Sequence, residues 1–279
     1  MSDRDCIDFL QWGLPRLKLR WPGYRNVRRT VCKRLRRRLR DLDLLDLAAY
    51  RGFLVGHPEE WARFDAFCRI PISRFYRDRG VFDYVADLAL PKLAASAATG
   101  GARKLRCWSA GCASGEEAYT LRILWDRALQ ASHPKLHFTI LGTDAEPQML
   151  ARGKVACYPA GALKDLPEAW REAAFARDGE TFCLKPEFRK DVSFRALDIR
   201  QQQPDGPFDL ILCRNLVFTY FAAMAQSEAL QAIEARLAPG GYLVIGAHER
   251  LPEEGGDLIQ VAPGLPVYCK VRPAVGAGP

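Results

Sequence analysis

The 279-residue sequence has no uninterrupted apolar stretch near the ~20 residues that cross a bilayer, so no membrane insertion is expected. Its nine cysteines include no CxxC pair, the spacing a structural zinc site needs. Cys107, Cys213 and Cys269 lie in apolar, strand-like runs where cysteine behaves as a small hydrophobe, so the cysteines are read as reduced core thiols and no metal is expected. The N-terminal MSDRDCIDFL lacks the apolar core of a signal peptide, which predicts a cytoplasmic protein. No internal repeat and no long low-complexity tract appear. Between Arg16 and Arg40 there is no acidic residue at all.

That last absence locates the charge. The net charge is +8, and the Arg16–Arg40 segment carries 12 of the 41 basic residues, leaving 29 basic against 33 acidic residues elsewhere. Within it Val27, Val31, Leu35 and Leu39 recur every four positions and predict one stripe of an amphipathic helix over 25–46. The other faces carry Arg28, Arg29, Lys33, Arg34, Arg36, Arg37, Arg38 and Arg40. Like charges at helical neighbours repel by a few tenths of a kcal/mol per pair. A helix so loaded therefore implies an acidic partner surface, although long arginines also line ordinary solvated faces.

Further helices are expected at 44–53 and 59–67, so the first 70 residues read as a small helical bundle. Residues 71–98 read as a connecting helical stretch, and the Ala-, Gly- and Ser-rich break at 94–101 opens a second domain. From there strands and helices alternate. LRCWSA (105–110), HFTILGTD (137–144), VSFRALD (192–198), FDLILCRN (208–215), GYLVIG (241–246) and PVYCKV (266–271) read as strands. Helices are expected over 116–129, 147–156 and 228–237. Near-continuous apolar strands alternating with helices predict a parallel sheet covered on both faces, closed by an antiparallel pair.

The stretch LRCWSAGCASGEEAYTLR (105–122) turns from a strand through a small-residue loop into a helix. It lacks both GxGxxG and the lysine of a P-loop, so a dinucleotide or triphosphate reading is weak. In a doubly wound sheet ligands bind beyond the carboxyl ends of the strands. There this sequence places the Ser109–Gly115 loop, Asp144 and Asp198. A carboxylate at Asp144 suits the hydroxyls of a ribose, though Asp at a strand end is also an ordinary helix cap. Glu116 and Glu117 suit a ligand that carries positive charge and no phosphate. S-adenosylmethionine, with a ribose, an ammonium and a sulfonium, meets these terms.

WSAGCASGEEAYTL, LGTDAEPQMLARGKVACYP, FDLILCRN and APGGYLVIGAHE together resemble the CheR family, the chemoreceptor glutamate methyltransferases. SRFYRDRGVF resembles the signature that precedes that family's catalytic domain, and the likeness runs from Ile7 to Val271. The resemblance implies an α/β, class I S-adenosylmethionine-dependent methyltransferase fold, Rossmann-like with a mostly parallel seven-stranded sheet and a small all-α N-terminal domain. Its domains would be a helical domain over 1–70, a linker helix with SRFYR over 71–98, and a methyltransferase domain over 99–279. Residues 159–190 stand where the family has a small β-subdomain, and a short hairpin is expected in ETFCLKPEFRKDVSF.

The resemblance also implies site residues. Cofactor contacts fall on Ser73 and Arg77 in SRFYR, Glu117 in GEEAY, Asp144 in GTD, Asp198 and Ile199 in ALDIR, and Arg214 and Asn215 in CRN. Ser73 stands where the family usually has Thr, and Pro71 where it has Asn. The family's site tyrosine is assigned to Tyr220, although NLVFTYF has one extra residue; GHSE reads GAHE, which displaces His248 by one. Arg77 and Tyr220 are the candidate catalytic residues, and Arg34, Arg37 and Arg38 the candidate substrate-docking residues.

The implied function is transfer of a methyl group from S-adenosylmethionine to glutamate carboxylates of chemoreceptors, with S-adenosylhomocysteine as product. A glutamate is already ionised near neutrality, its ordinary pKa being about 4.3, so the chemistry needs no strong base. The partner would be an acidic protein, the cytoplasmic helices of a receptor. Alternatives are the same chemistry on another protein or a small acid, a nucleic-acid-binding methyltransferase, and a cofactor-binding regulator without catalysis. Against nucleic acid, the basic run has only Trp21 and Tyr24 as aromatics, and Asn215-Leu-Val is not the NPPY motif of base methyltransferases.

Overall fold

The computed structural model describes residues 2–252 and 256–271. The chain forms two compact units, Met1–Pro71 with Thr219–Gln226, and Ile72–Phe218 with Ser227–Pro279.

The first unit contains helices α1 (Asp3–Gly13), α2 (Trp21–Tyr24), α3 (Arg28–Asp41), α4 (Leu47–Gly56) and α5 (Glu60–Cys68). Ser2 and Asp5 start α1 with a reciprocal capping box, and the Asp46 carboxylate accepts from the Ala49 N–H to start α4. The α3 stripe buries Val31, Leu35 and Leu39, with Cys32 beside them. Val27 lies outside the helix as its cap, and α3 stops at Asp41 because Asp43 turns left-handed. The centre of this unit is aromatic: Phe9 meets Phe64 at 5.2 Å and Tyr50 at 5.6 Å between ring centroids.

The second unit holds β1 (Lys104–Ala110), β2 (His137–Asp144), β6 (Val192–Ala196), β7 (Phe208–Cys213), β8 (Leu237–Ile245), β9 (Leu258–Gln260) and β10 (Val267–Lys270) in one sheet, ordered β6-β2-β1-β7-β8-β10-β9. Strands β6, β2, β1, β7 and β8 run parallel; β10 is antiparallel to β8 and to β9. Chain order reverses at β1 between β2 and β7, which places the crevice of a doubly wound sheet beyond Ala110, Asp144 and Cys213. Helices α6 (Arg79–Tyr84), α7 (Leu90–Thr99), α8 (Glu116–Ala128), α9 (Pro147–Val155), α10 (Glu168–Ala174), α11 (Val217–Tyr220) and α12 (Ala223–Arg236) complete the order, the last two crossing the boundary between units. One core cluster joins Leu105 and Cys107 of β1 to Ile123, Leu124 and Trp125 of α8 and to Phe82 and Leu90.

Several sequence expectations are corrected here. Residues 71–98 are not one helix: the SRFYR motif lies in an extended stretch before α6, and a wider helical turn with i to i+5 bonding, Val85–Ala89, joins α6 to α7. The edge strand β9 is missing from the sequence reading because three residues carry too little pattern. The expected hairpin lies earlier, between β4 (Phe175–Asp178) and β5 (Thr181–Leu184), turning at Gly179, where φ is +58°. With β3 (Cys157–Pro159) it forms a separate three-stranded sheet, ordered β3-β5-β4.

The cysteines are corrected as well. Cys6 of α1 is bonded to Cys32 of α3, and Cys157 is bonded to Cys183 across the β3–β5 pair. Both pairs are 26 residues apart in sequence, so they are invisible to any search for short spacings. Denaturation without reductant is expected to expose five thiols, at Cys68, Cys107, Cys112, Cys213 and Cys269, and nine after reduction. Nine reactive thiols under both conditions would show the pairs to be open. No helix among the described residues is long and apolar enough to cross a membrane.

Candidate active site

The loop after β1 is bent by backbone that side chains rarely adopt. Gly111 and Gly115 have φ of +73° and +85°, and Ala113 is left-handed at +49°. Glycine takes this conformation freely, whereas each non-glycine residue there costs about 1–3 kcal/mol, a strain that gathers at functional sites. Across the strand ends Tyr76, Asp78 and Asn215 are also left-handed, at 58°, 60° and 55°. The loop is tied to β2 through the Thr143 carbonyl, which accepts from Gly111 N and Cys112 N at 2.8 and 2.9 Å.

Asp144 ends β2. One oxygen accepts from Ala113 N and the other from Glu146 N, each at 2.9 Å, so backbone donors on both sides fix the carboxylate's orientation. Each carboxylate oxygen can accept more than one hydrogen bond, which keeps acceptor capacity for a ligand. Glu117 joins four segments. Its Oε1 accepts from Ser109 Oγ at 2.6 Å and its Oε2 from Arg214 Nη1 at 3.1 Å. Arg214 Nη2 in turn donates to the Asp78 carboxylate at 2.7 Å and to the Arg77 carbonyl at 2.8 Å, while its guanidinium stacks over Phe82. Arg214 is 8% exposed, so these charges meet in a largely water-excluded place.

Arg77 is half-buried. It donates to the Ile72 carbonyl at 2.9 Å and, among the described residues, pairs with no carboxylate. The two acids that follow it in sequence are engaged elsewhere: Asp78 with Arg214, Asp83 with Tyr76 and Arg79. Asp198 is different from its sequence expectation. Both its oxygens are gripped by the Arg200 guanidinium, at 3.0 and 2.6 Å, so its charge is matched within the chain. Ile199 is buried beside it, at 5% exposure. Ser73 lies against Glu116. The Asn215 N–H donates to Glu249 Oε2 at 2.8 Å, and the Gly246 N–H donates to the same oxygen.

Sequence reasoning missed three contributors. Ser109 gave no signal because hydroxyls are common at strand ends, and Asp78 gave none because an acid before a helix reads as an ordinary cap. In GAHE, attention fell on His248, which is exposed, whereas the buried member is Glu249. Glu116 also departs from expectation: it does not face a ligand beside Glu117 but turns into the protein. Cys112, in the same loop, has its thiol pushed far above the ordinary range by burial and by Asp144, Glu117 and Glu116, which makes it an inert packing group. Tyr220 belongs to the first unit, where its ring lies 5.0 Å from that of Tyr24.

In that unit the three candidate docking arginines part company. Arg38 binds Glu60 with both ends of its guanidinium, at 2.8 and 2.7 Å. Arg34 donates to the Phe67 and Arg69 carbonyls at the end of α5, a favourable place for a cation. Only Arg37 is exposed, so Arg34 and Arg38 are architectural. The exposed basic stripe of α3 is Arg29, Lys33, Arg36, Arg37 and Arg40.

The residues present fit S-adenosylmethionine. A glycine-bent loop without phosphate-binding lysine, a carboxylate held at the end of β2 and an acid at the start of α8 form the donor set that the ribose and the cationic end of that molecule require. The sheet order and these strand-end acids define an S-adenosylmethionine-dependent methyltransferase. Residues 72–263 match the family model "CheR methyltransferase, SAM binding domain", and the chain belongs to the CheR family. It is 36% identical over 188 residues to a chemotaxis protein methyltransferase of Listeria innocua, covering 67% of this chain and 68% of that protein. To chemotaxis protein methyltransferase 1 of Pseudomonas aeruginosa it is 33% identical, covering 68% and 71%. It is also 32% identical over 90% of its length to an uncharacterized 104.1 kDa protein of Rhodobacter capsulatus, of which it spans only 26%.

Proposed function

We propose that the chain methylates glutamate carboxylates on an acidic, helical protein partner of the chemoreceptor kind. The observation that carries this reading is the matching of charge at the strand ends. Glu117, Asp78 and Asp198 each have a partner inside the chain, whereas Arg77 pairs with no carboxylate among the described residues. An unmatched guanidinium there suits an anion brought from outside, the carboxylate of the methyl donor or of the acceptor.

Bound S-adenosylmethionine supplies an electrophilic methyl group. The chain's share is positioning: Asp144 takes the ribose, the loop and the acceptor capacity that Glu117 keeps beyond Ser109 and Arg214 take the cationic end, and Arg77 takes a carboxylate. A glutamate acceptor arrives ionised, so holding it in line and stripping its water suffice. Neither the inert Cys112 thiol nor the exposed His248 is needed as a base.

The exposed stripe of α3 gives the partner its chemistry. Lys33, Arg37 and Arg40 follow one helical line and match carboxylates repeated at the same period on a second helix. Reversing these three to Glu is expected to lower methylation of receptor cytoplasmic helices, followed with radiolabelled donor, about tenfold or more. Affinity for S-adenosylhomocysteine should stay within about twofold, since the stripe and the loop belong to different units. Label released as methanol by alkali supports carboxyl methylation. Alkali-stable label, or unchanged turnover in the triple variant, would overturn the reading.

A further inference from the structure

Glu116 is a buried acid that methyl transfer does not use. It opens α8 one position before Glu117, yet it is 5% exposed. Its Oε1 accepts from the Ser114 hydroxyl at 2.7 Å, while its buried Oε2 has no hydrogen-bond partner. The Ser73 hydroxyl, in the segment that leads to Arg77, stands close enough to stabilise negative charge on it. The Glu116 backbone carbonyl accepts from Thr120 Oγ1 at 2.7 Å, and that hydroxyl accepts from the Tyr76 N–H at 3.1 Å. Tyr158 of β3 reaches the loop from the other side, donating to the Ser114 carbonyl at 2.7 Å. The donor loop and the Ser73–Arg77 segment thus meet at Glu116, at its carboxyl through Ser114 and Ser73 and at its backbone carbonyl through Thr120 and Tyr76.

We infer that the Glu116 carboxyl is a positioning residue, fastening the donor-binding loop through Ser114 to the segment that carries Arg77. The inference rests on the reading of that loop as the donor site. It explains why an acid sits where an apolar residue would fill the space without an orphaned oxygen: the buried Ser114 hydroxyl needs an acceptor there, and the half-buried Ser73 hydroxyl stands beside it.

The fastening works best with the group neutral. Burial pushes the Glu116 pKa up, against the lowering effects of Ser114, its own backbone N–H, Ser73 and the more distant Arg152 of α9. Of the other groups around it, the Tyr158 hydroxyl and the Cys112 thiol are both raised far by burial and stay neutral, Glu117 and Asp144 beside the loop and Arg189 beyond Tyr158 carry charge nearby, and Arg152 is the cation that lowers the Glu116 pKa. A folded-state pKa above the ordinary 4.5 means the neutral form is complete below that value and lost as pH rises through the raised one. Ionisation would leave a buried charge with an unsatisfied oxygen, so the loop would relax to admit water and hold the donor less well.

The test is calorimetric titration of S-adenosylhomocysteine from pH 5 to 9, with melting temperatures alongside. Wild-type affinity is expected to weaken as Glu116 ionises, by up to about tenfold. Glu116→Gln keeps an acceptor for Ser114 and places a donor where Oε2 is orphaned, so it should hold low-pH affinity and flatten the profile. Glu116→Ala, lacking the acceptor, should bind about tenfold more weakly at every pH. A Gln variant that titrates in parallel with wild type would overturn the inference, as would an Ala variant that binds normally. So would variants that lose only melting temperature. If the wild-type protein itself binds no S-adenosylhomocysteine, the donor-site reading falls too, which separates the two failures.

Discussion

Asp144→Ala is expected to raise the dissociation constant for S-adenosylhomocysteine by about two orders of magnitude. The estimate takes two hydrogen bonds from ribose hydroxyls to an ionised carboxylate, each contributing about 1.5–3 kcal/mol, less the partial compensation by water. The loss reaches further than the ligand. Asp144 also accepts from Ala113 N and Glu146 N, so removing it releases the left-handed turn at Ala113 and the entry to α9. Asn is therefore not a benign control. With both oxygens accepting from backbone N–H groups, the amide nitrogen of Asp144→Asn must face a donor whichever way it turns. Calorimetry on the two variants should find both weak, with Ala the weaker. An Asp144→Ala affinity within threefold of wild type would remove the ribose role, and with it the main support for the loop as the donor site.

The strand–loop–helix at 105–122 was legible because its signals are local. An apolar run ends at Ala110, left-handed glycines follow, and α8 begins six residues later with its apolar pattern from Ala118. What sequence could not assign was the partner of each charge. Arg34, Arg37 and Arg38 are equivalent in the periodicity of α3; only the later arrival of Glu60 and the α5 carbonyls separates them. Glu116 and Glu117 are adjacent, but consecutive helical residues point about 100° apart, which sends one inward and the other to the strand ends. The cystines and the edge strand β9 depend on packing between distant segments. Local pattern thus locates the site, and long-range pairing decides which of its charges remain available.

The same division between architectural and available charge sets the second large effect. Glu60→Ala is expected to destabilise the N-terminal unit by about 3–5 kcal/mol, because deleting one member of a buried ion pair strands the others. Glu60 is 5% exposed and accepts from Arg38 at 2.8 and 2.7 Å and from the Tyr50 hydroxyl at 2.8 Å. Tyr50 is fully buried and has no water to turn to. Trp12 and Trp61, 5.6 Å apart between ring centroids in the same unit, give the fluorescence readout for urea unfolding. The effect should also depend on pH. Burial pushes the Glu60 carboxyl up, but hydrogen bonds from Arg38 and Tyr50 outweigh it and hold the pKa below the ordinary 4.5. A lowered folded-state value makes the contribution complete above 4.5 and lost as pH falls through the folded value. The gap between wild type and Glu60→Ala should therefore be widest near neutrality and close on acidification. A gap below about 1 kcal/mol at pH 7 would mean that Arg38 finds other partners as easily. Arg38 would then belong with Arg37 in the surface that meets the partner.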